Sequence, residues 1–106
     1  MTIDERIALN FRALSHPRRA AIFRLLTEDP EVGTTYRSLQ IASGICDASL
    51  IHHLRDMERC GLIRRQRRGA EVAYRIDSAT FCRTLSLAHS MATEARLDPG
   101  RNPRAA

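Results

Sequence analysis

Apolar residues recur along this chain with helical spacing four times, change to a strand-like pattern, and then return to helical spacing. Thr2 and Glu5 form a capping-box pair, and Ile3, Ile7, Phe11 and Leu14 follow one helical face, which predicts a first helix over Ile3–Leu14. Ser15 or His16 caps the second, and Pro17 stands at its first position, where a missing N–H is harmless. Ala21, Ile22, Leu25 and Leu26 give its apolar face. Asp29-Pro30 ends it, because the residue before a proline is pushed out of the helical region. Val32-Gly33 reads as a turn, and Thr34 or Thr35 caps a short third helix with Leu39 and Ala42 inward and Gly44 as its left-handed terminator. The fourth helix starts near Cys46-Asp47, carries Leu50, Leu54 and Met57 as one inward stripe, and stops at Gly61. Two helices joined by a tight glycine-containing turn are a helix-turn-helix.

The period then shortens. Leu62–Gln66 and Glu71–Ile76 read as two strands with Gly69 in the turn between them, and Arg67 and Arg68 fall at or beside the hairpin tip. Asp77 or Ser78 caps a last helix running to about Ala95, with Phe81, Leu85, Ala88, Met91 or Ala92, and Ala95 as its apolar stripe. The expected fold is mainly α with a small β-hairpin, a winged helix-turn-helix of order α-α-α-α-β-β-α. One domain is expected over residues 1–96, with a disordered tail over 97–106 that holds Pro99-Gly100 and Pro103. The first and last helices both carry apolar stripes that a small three-helix core cannot cover. Pairing with a second copy through Ile3, Ile7, Phe11, Phe81, Leu85, Ala88, Met91 and Ala92 is therefore expected.

Charge sharpens this picture. The net charge is +5, and every one of the 17 basic residues is arginine, whose planar donor fork suits phosphates and guanine edges. Seven arginines and only three acids lie between Arg55 and Arg75, so the helix and hairpin expected there form a localised basic patch, the electrostatic footprint of nucleic-acid binding. With no tryptophan and few aromatics, a stacking platform for single strands is poorly supplied. Three cysteines in no framework spacing point to a reducing compartment, the cytoplasm. No apolar run approaches a membrane span, and the N-terminus lacks a signal-peptide core.

Several segments resemble the ArsR/SmtB family of bacterial winged-helix regulators. They are Ala13-Leu14-Ser15-His16-Pro17-Arg18-Arg19-Ala20-Ala21-Ile22, Ser49-Leu50-Ile51-His52-His53-Leu54 with Cys60-Gly61-Leu62-Ile63, and the wing segments Arg67-Arg68-Gly69 and Ala73-Tyr74-Arg75-Ile76. The match runs in family order over roughly residues 5 to 95. It implies a homodimer that binds a twofold-symmetric double-stranded operator, usually as a repressor, and releases it on sensing an inducer.

On that reading the fourth helix lies in the major groove and uses its leading residues on base edges. Ser49 and His52 can hydrogen-bond there, and Ala48 or Ile51 can meet thymine methyls. Asp47 either accepts from cytosine or is simply an acid favoured by the helix dipole. Arg55 shares the outer side, His53 packs near the inner face, Arg65, Arg67 and Arg68 suit phosphates or a minor groove, and Arg37 can touch the backbone.

The metal sites of the family find one matching ligand each at most. Thr35-Tyr36-Arg37-Ser38 stands where one site has its cysteine pair. Ser78, Thr80 and Met91 replace ligands of a second, leaving Glu94, and Asp56 replaces a partner of Cys60 in a third. No metal or cofactor is implied, although a differently built site on His16, His89 or the cysteines stays open. Cys46, Cys60 and Cys82 are redox candidates, Cys46 because it adjoins the fourth helix's N-terminus, where a thiol's pKa falls. Cys46 and Cys60 cannot bridge within one chain, since fourteen helical steps put them roughly 20 Å apart. The family's paired-cysteine sensors need a cysteine where Phe23-Arg24 stand, with Cys82 available as the other; a small organic ligand, or none, stays open as the signal. No nucleophile–base pair, paired carboxylates or phosphate loop speaks for an enzyme. The competing reading is a winged-helix protein–protein interaction module.

Overall fold

The computed structural model describes residues 1–97, apart from the side chains of residues 96 and 97; the tail expected from its second residue onward lies outside the described residues. The elements are α1 (Ile3–Ala13), α2 (Pro17–Leu26), β1 (Thr34–Thr35), α3 (Tyr36–Ser43), α4 (Asp47–Arg59), β2 (Ile63–Arg68), β3 (Glu71–Ile76) and α5 (Ser78–Leu97). The sheet is antiparallel with order β1-β3-β2. Leu97, expected to open the tail, is the last residue of α5.

Local signals start most helices where expected. The Thr2 hydroxyl accepts from the Glu5 amide while the Glu5 carboxylate accepts from the Thr2 amide, a complete capping box. His16 rather than Ser15 caps α2, its Nδ1 accepting from the Arg18 amide at 3.0 Å. Thr35 caps α3 by accepting from the Ser38 amide, and Gly44 closes α3 at φ +67°, the left-handed turn that leads into α4.

Four expectations are corrected. The helix α2 ends at Leu26, three residues before Asp29-Pro30, because a Thr27-capped turn follows it. Ala42 is exposed rather than inward, and Ile45 fills the core beside Leu39 instead. Ala95 is exposed on α5. The order gains a strand, β1, which two residues build by pairing Thr34 with Tyr74 and Thr35 with Ala73. Gly33 lets that strand come close: a Cβ there would sit 2.7 Å from the Tyr74 carbonyl oxygen, at a φ of +83°.

Ala13, Ile22, Leu26, Leu39, Leu50, Leu54, Met57 and Leu62 form the core between α1–α4 and the sheet. Two polar clusters cross it. Asn10 donates to the Cys60 carbonyl (3.1 Å) and accepts from the Thr84 hydroxyl (2.6 Å), tying α1 to the end of α4 and to α5. Arg19 on α2 donates to Asp56 (2.5 Å) and to His53 Nδ1 (3.0 Å) on α4, and to the Arg12 carbonyl (3.3 Å). These bonds satisfy buried charge and hold the inner face of α4 in place.

Burial, then the Arg19 charge and the neighbouring His16 and His52, push the His53 imidazole below its ordinary 6.5. Its Nδ1 already accepts from Arg19, so a proton there would face a guanidinium. The unfolded chain binds that proton near 6.5 and the folded chain only at lower pH. Stability is therefore full above 6.5 and falls as pH drops through the folded value. The urea midpoint should fall between pH 7.5 and pH 5, a loss that His53→Gln should reduce.

Candidate nucleic-acid interface

The fourth helix is two-faced. Leu50, His53, Leu54, Asp56 and Met57 are buried, and His53 is packed as expected. Ala48, His52, Arg55 and Arg59 are exposed, with Ser49 and Ile51 half-buried beside them. The spacing 48, 52, 55, 59 makes one open stripe along a helix. Nothing in the described protomer covers this stripe. Arg59 was not singled out from sequence, although its place one turn after Arg55 signals it.

Asp47 stands apart from this stripe in chemistry. The Tyr36 hydroxyl donates to its carboxylate, and the Gln40 amide does so weakly at 3.5 Å. Burial and this hydrogen bond to a carboxylate push the Tyr36 phenol up to about 12. The carboxylate is thus held by α3 at the positive end of α4, which favours its role as an N-terminal acid over base reading. Tyr36 was missed because only the fold brings α3's first residue against α4.

Cys46 is the N-cap residue of α4 and is exposed. Its thiol makes no capping hydrogen bond as it stands, yet the Ser49 hydroxyl and amide, followed by Arg18, favour the thiolate and lower its pKa below 9.0 against the opposing effects of slight burial and Asp47. Burial, with the Asp56 charge, raises that of Cys60. Cys82 is exposed on α5. Iodoacetamide at neutral pH should therefore label Cys46 fastest and leave Cys60 unlabelled in the folded protein, as peptide mapping of a time course would show.

The wing pairs Arg65 with Tyr74, Arg67 with Val72 and Arg68 with Glu71. Directly opposed residues share a face, so Arg65 and Arg67 lie on the Tyr74 side and Arg68 on the other. Arg65 reaches across to Glu58 of α4 at 3.8 Å, so its face turns toward the helix. Arg67 bridges its own turn at the Gly69 carbonyl (3.5 Å). Arg68 donates through one Nη to the Val32 carbonyl on the far side, which leaves its other guanidinium N–H groups open. Arg37 is exposed in the first turn of α3, facing the same hollow as Arg55 and Arg65.

On α1 and α5, Ile3, Phe11, Leu85 and Met91 keep 41 to 56% of their surface exposed. Ala92 is exposed as well, with Ile7 and Ala88 half-buried among them. Phe81 is the exception. It is buried edge-on against Phe23, with ring centroids 5.3 Å apart, so it belongs to the protomer's own core and not to a surface. His16 caps α2 with one nitrogen and His89 is exposed elsewhere. Among the described residues, no three histidine, cysteine or acidic side chains gather as metal ligands. No helix among them is long and apolar enough to cross a membrane.

A helix-turn-helix of α3 and α4 followed by a two-stranded wing defines a winged helix-turn-helix protein. Solved structures share this fold. An ArsR-like transcriptional regulator from Rhodococcus sp. RHA1 is 26% identical, with 89% of this chain and 85% of that chain covered at a TM-score of 0.71. A crystal structure of an ArsR family transcriptional regulator is 23% identical, covering 93% and 96% at 0.70. A homodimeric winged helix-turn-helix DNA-binding domain from Mycobacterium bovis, described as a possible ArsR-family regulator, is 23% identical, covering 92% and 86% at 0.66. No family profile matches the chain, and neither does any curated protein sequence. The resemblance to ArsR-family winged-helix regulators read from the sequence extends to the fold.

Proposed function

We propose that the protein is a sequence-specific double-stranded DNA-binding transcription regulator. It acts as a homodimeric repressor on a twofold-symmetric operator in the cytoplasm and leaves it on a signal. The observation that carries this is the open stripe of α4, Ala48 to Arg59, backed by a rigid core and flanked by the arginines of the wing. Ser49, His52, Ala48 and Ile51 read base edges, while Arg37, Arg55, Arg65, Arg67 and Arg68 hold phosphates. Asp47, held by Tyr36 of α3, stands at the leading end of this set.

The homodimeric domain from Mycobacterium bovis favours pairing, and the apolar surface of α1 and α5 supplies the place. Ile3, Ile7, Phe11, Leu85, Ala88, Met91 and Ala92 form that surface, without Phe81. Of the redox candidates, Cys46 is the one whose oxidation would add bulk at the leading end of α4. Footprinting the protein on DNA upstream of its own gene, with and without peroxide, zinc and chelator, tests the reading. A protected site with twofold symmetry is expected, and the additive that abolishes protection names the signal. Absence of any protected site, with binding to duplexes indifferent to sequence, would overturn it.

A further inference from the structure

Between α4, the start of α3 and the wing lies a hollow of about 490 Å³, within the size range of small-ligand sites. Its walls are apolar: Ile51 from α4, Val72 and the buried Tyr74 from β3, and the ring of Tyr36. Phosphate alone needs no such lining. Around it stand three guanidiniums, Arg37, Arg55 and Arg65, against the carboxylates of Glu58 and Glu71. Glu58 is engaged by Arg65, whereas Arg37 and Arg55 form no ion pair among the described residues. The hollow is thus greasy inside and net positive around the rim, the complement of a flat ring bearing one negative charge.

We propose that this hollow binds a small aromatic carboxylate, its ring between Tyr36, Ile51 and Val72 and its carboxylate on Arg37 and Arg55. Arg55 and Arg65 also belong to the proposed DNA contacts, so occupant and duplex exclude one another. This exclusion rests on the DNA-binding reading; the site itself does not. It places the sensing site on the reading surface, so that release needs no change of shape elsewhere.

The chain offers a built-in reporter. It has no tryptophan and two tyrosines, Tyr36 and Tyr74, and both line the hollow. With 2-naphthoate as probe, the full chain should show saturable quenching of its tyrosine emission at one ligand per chain, confirmed by calorimetry. Neutral 2-naphthol should bind about a hundredfold more weakly, and the double variant Arg37→Ala/Arg55→Ala should lose about a hundredfold for 2-naphthoate, the scale of two charge-assisted hydrogen bonds. Arg83→Ala, an exposed change on α5, should leave binding unaltered. No saturation at millimolar probe, equal affinity for the naphthol, or indifference to the double variant would each overturn the site. A duplex that binds together with 2-naphthoate would overturn the exclusion. A protein that takes the probe but binds no duplex would retain the site and refute the DNA-binding reading.

Discussion

Asp56→Ala should cost the folded protein about 3–5 kcal/mol in urea unfolding, the usual penalty for removing one partner of a buried ion pair. Both partners are deeply buried, with side chains 10% (Arg19) and 9% (Asp56) exposed. Burial alone would raise the Asp56 carboxyl, but the hydrogen bond and charge of Arg19, helped by Arg12 and Arg59, outweigh it and hold the group below its ordinary 3.8. Removing the carboxylate strands the Arg19 guanidinium between α2 and α4. A domain of this size has about 5–15 kcal/mol in all, so the variant should be partly unfolded near body temperature. Arg12→Ala removes only the outer partner, at 3.3 Å and 63% exposed, and should cost less than 1 kcal/mol, as exposed pairs do. Equal losses from both variants would mean that the pair does not brace α4.

The second large effect concerns affinity rather than stability. Arg65→Ala/Arg67→Ala should weaken binding to every duplex alike, by roughly a thousandfold in the dimer at low salt. The proposed dimer would lose four guanidinium contacts, at about 1 kcal/mol each. The slope of log K against log salt should become shallower by about four units, one for each phosphate released. Folding should be nearly untouched, because Arg67 has no acidic partner among the described residues and the Arg65–Glu58 contact is long and exposed. His52→Ala and Ser49→Ala should behave oppositely, changing which sequences are preferred while leaving the salt slope alone. Anisotropy titrations on two unlike duplexes at several salt concentrations separate the two patterns.

Much of the fold is written locally. Thr2 with Glu5, His16 with Pro17, and Gly44 each fix a helix end through bonds to their own neighbours, so the chain itself carries the signal. The stripe of Leu50, Leu54 and Met57 is equally local, and burying it leaves the opposite face exposed. What was illegible depends on distant partners. The strand β1 has two residues, too few to show any period, and exists because β3 offers it a free edge. Arg19 and Asp56 stand 37 positions apart and look like solvated charges until the fold presses them together. Tyr36 and Asp47 lie closer in sequence, yet only the turn at Gly44 brings them into contact. Phe81 shares its helical period with Leu85 and Ala88, and period alone cannot say that α5 begins against Phe23 and continues over open surface.

The same limit governs the interface. Charge and spacing placed arginines on the hairpin, but pairing register decides which of them turn toward α4. Arg65 and Arg67 do, and Arg68 does not.

Amide chemical-shift mapping of the labelled protein, titrated with duplex from its own promoter, shows whether the outer face of α4 meets DNA. The largest changes are expected at Ala48, Ser49, His52 and Arg55 and along the wing at Arg65 and Arg67, with α1 and α5 nearly still. Changes concentrated on Ile3, Phe11, Leu85 and Met91, with the outer face of α4 silent, would contradict the proposed contact.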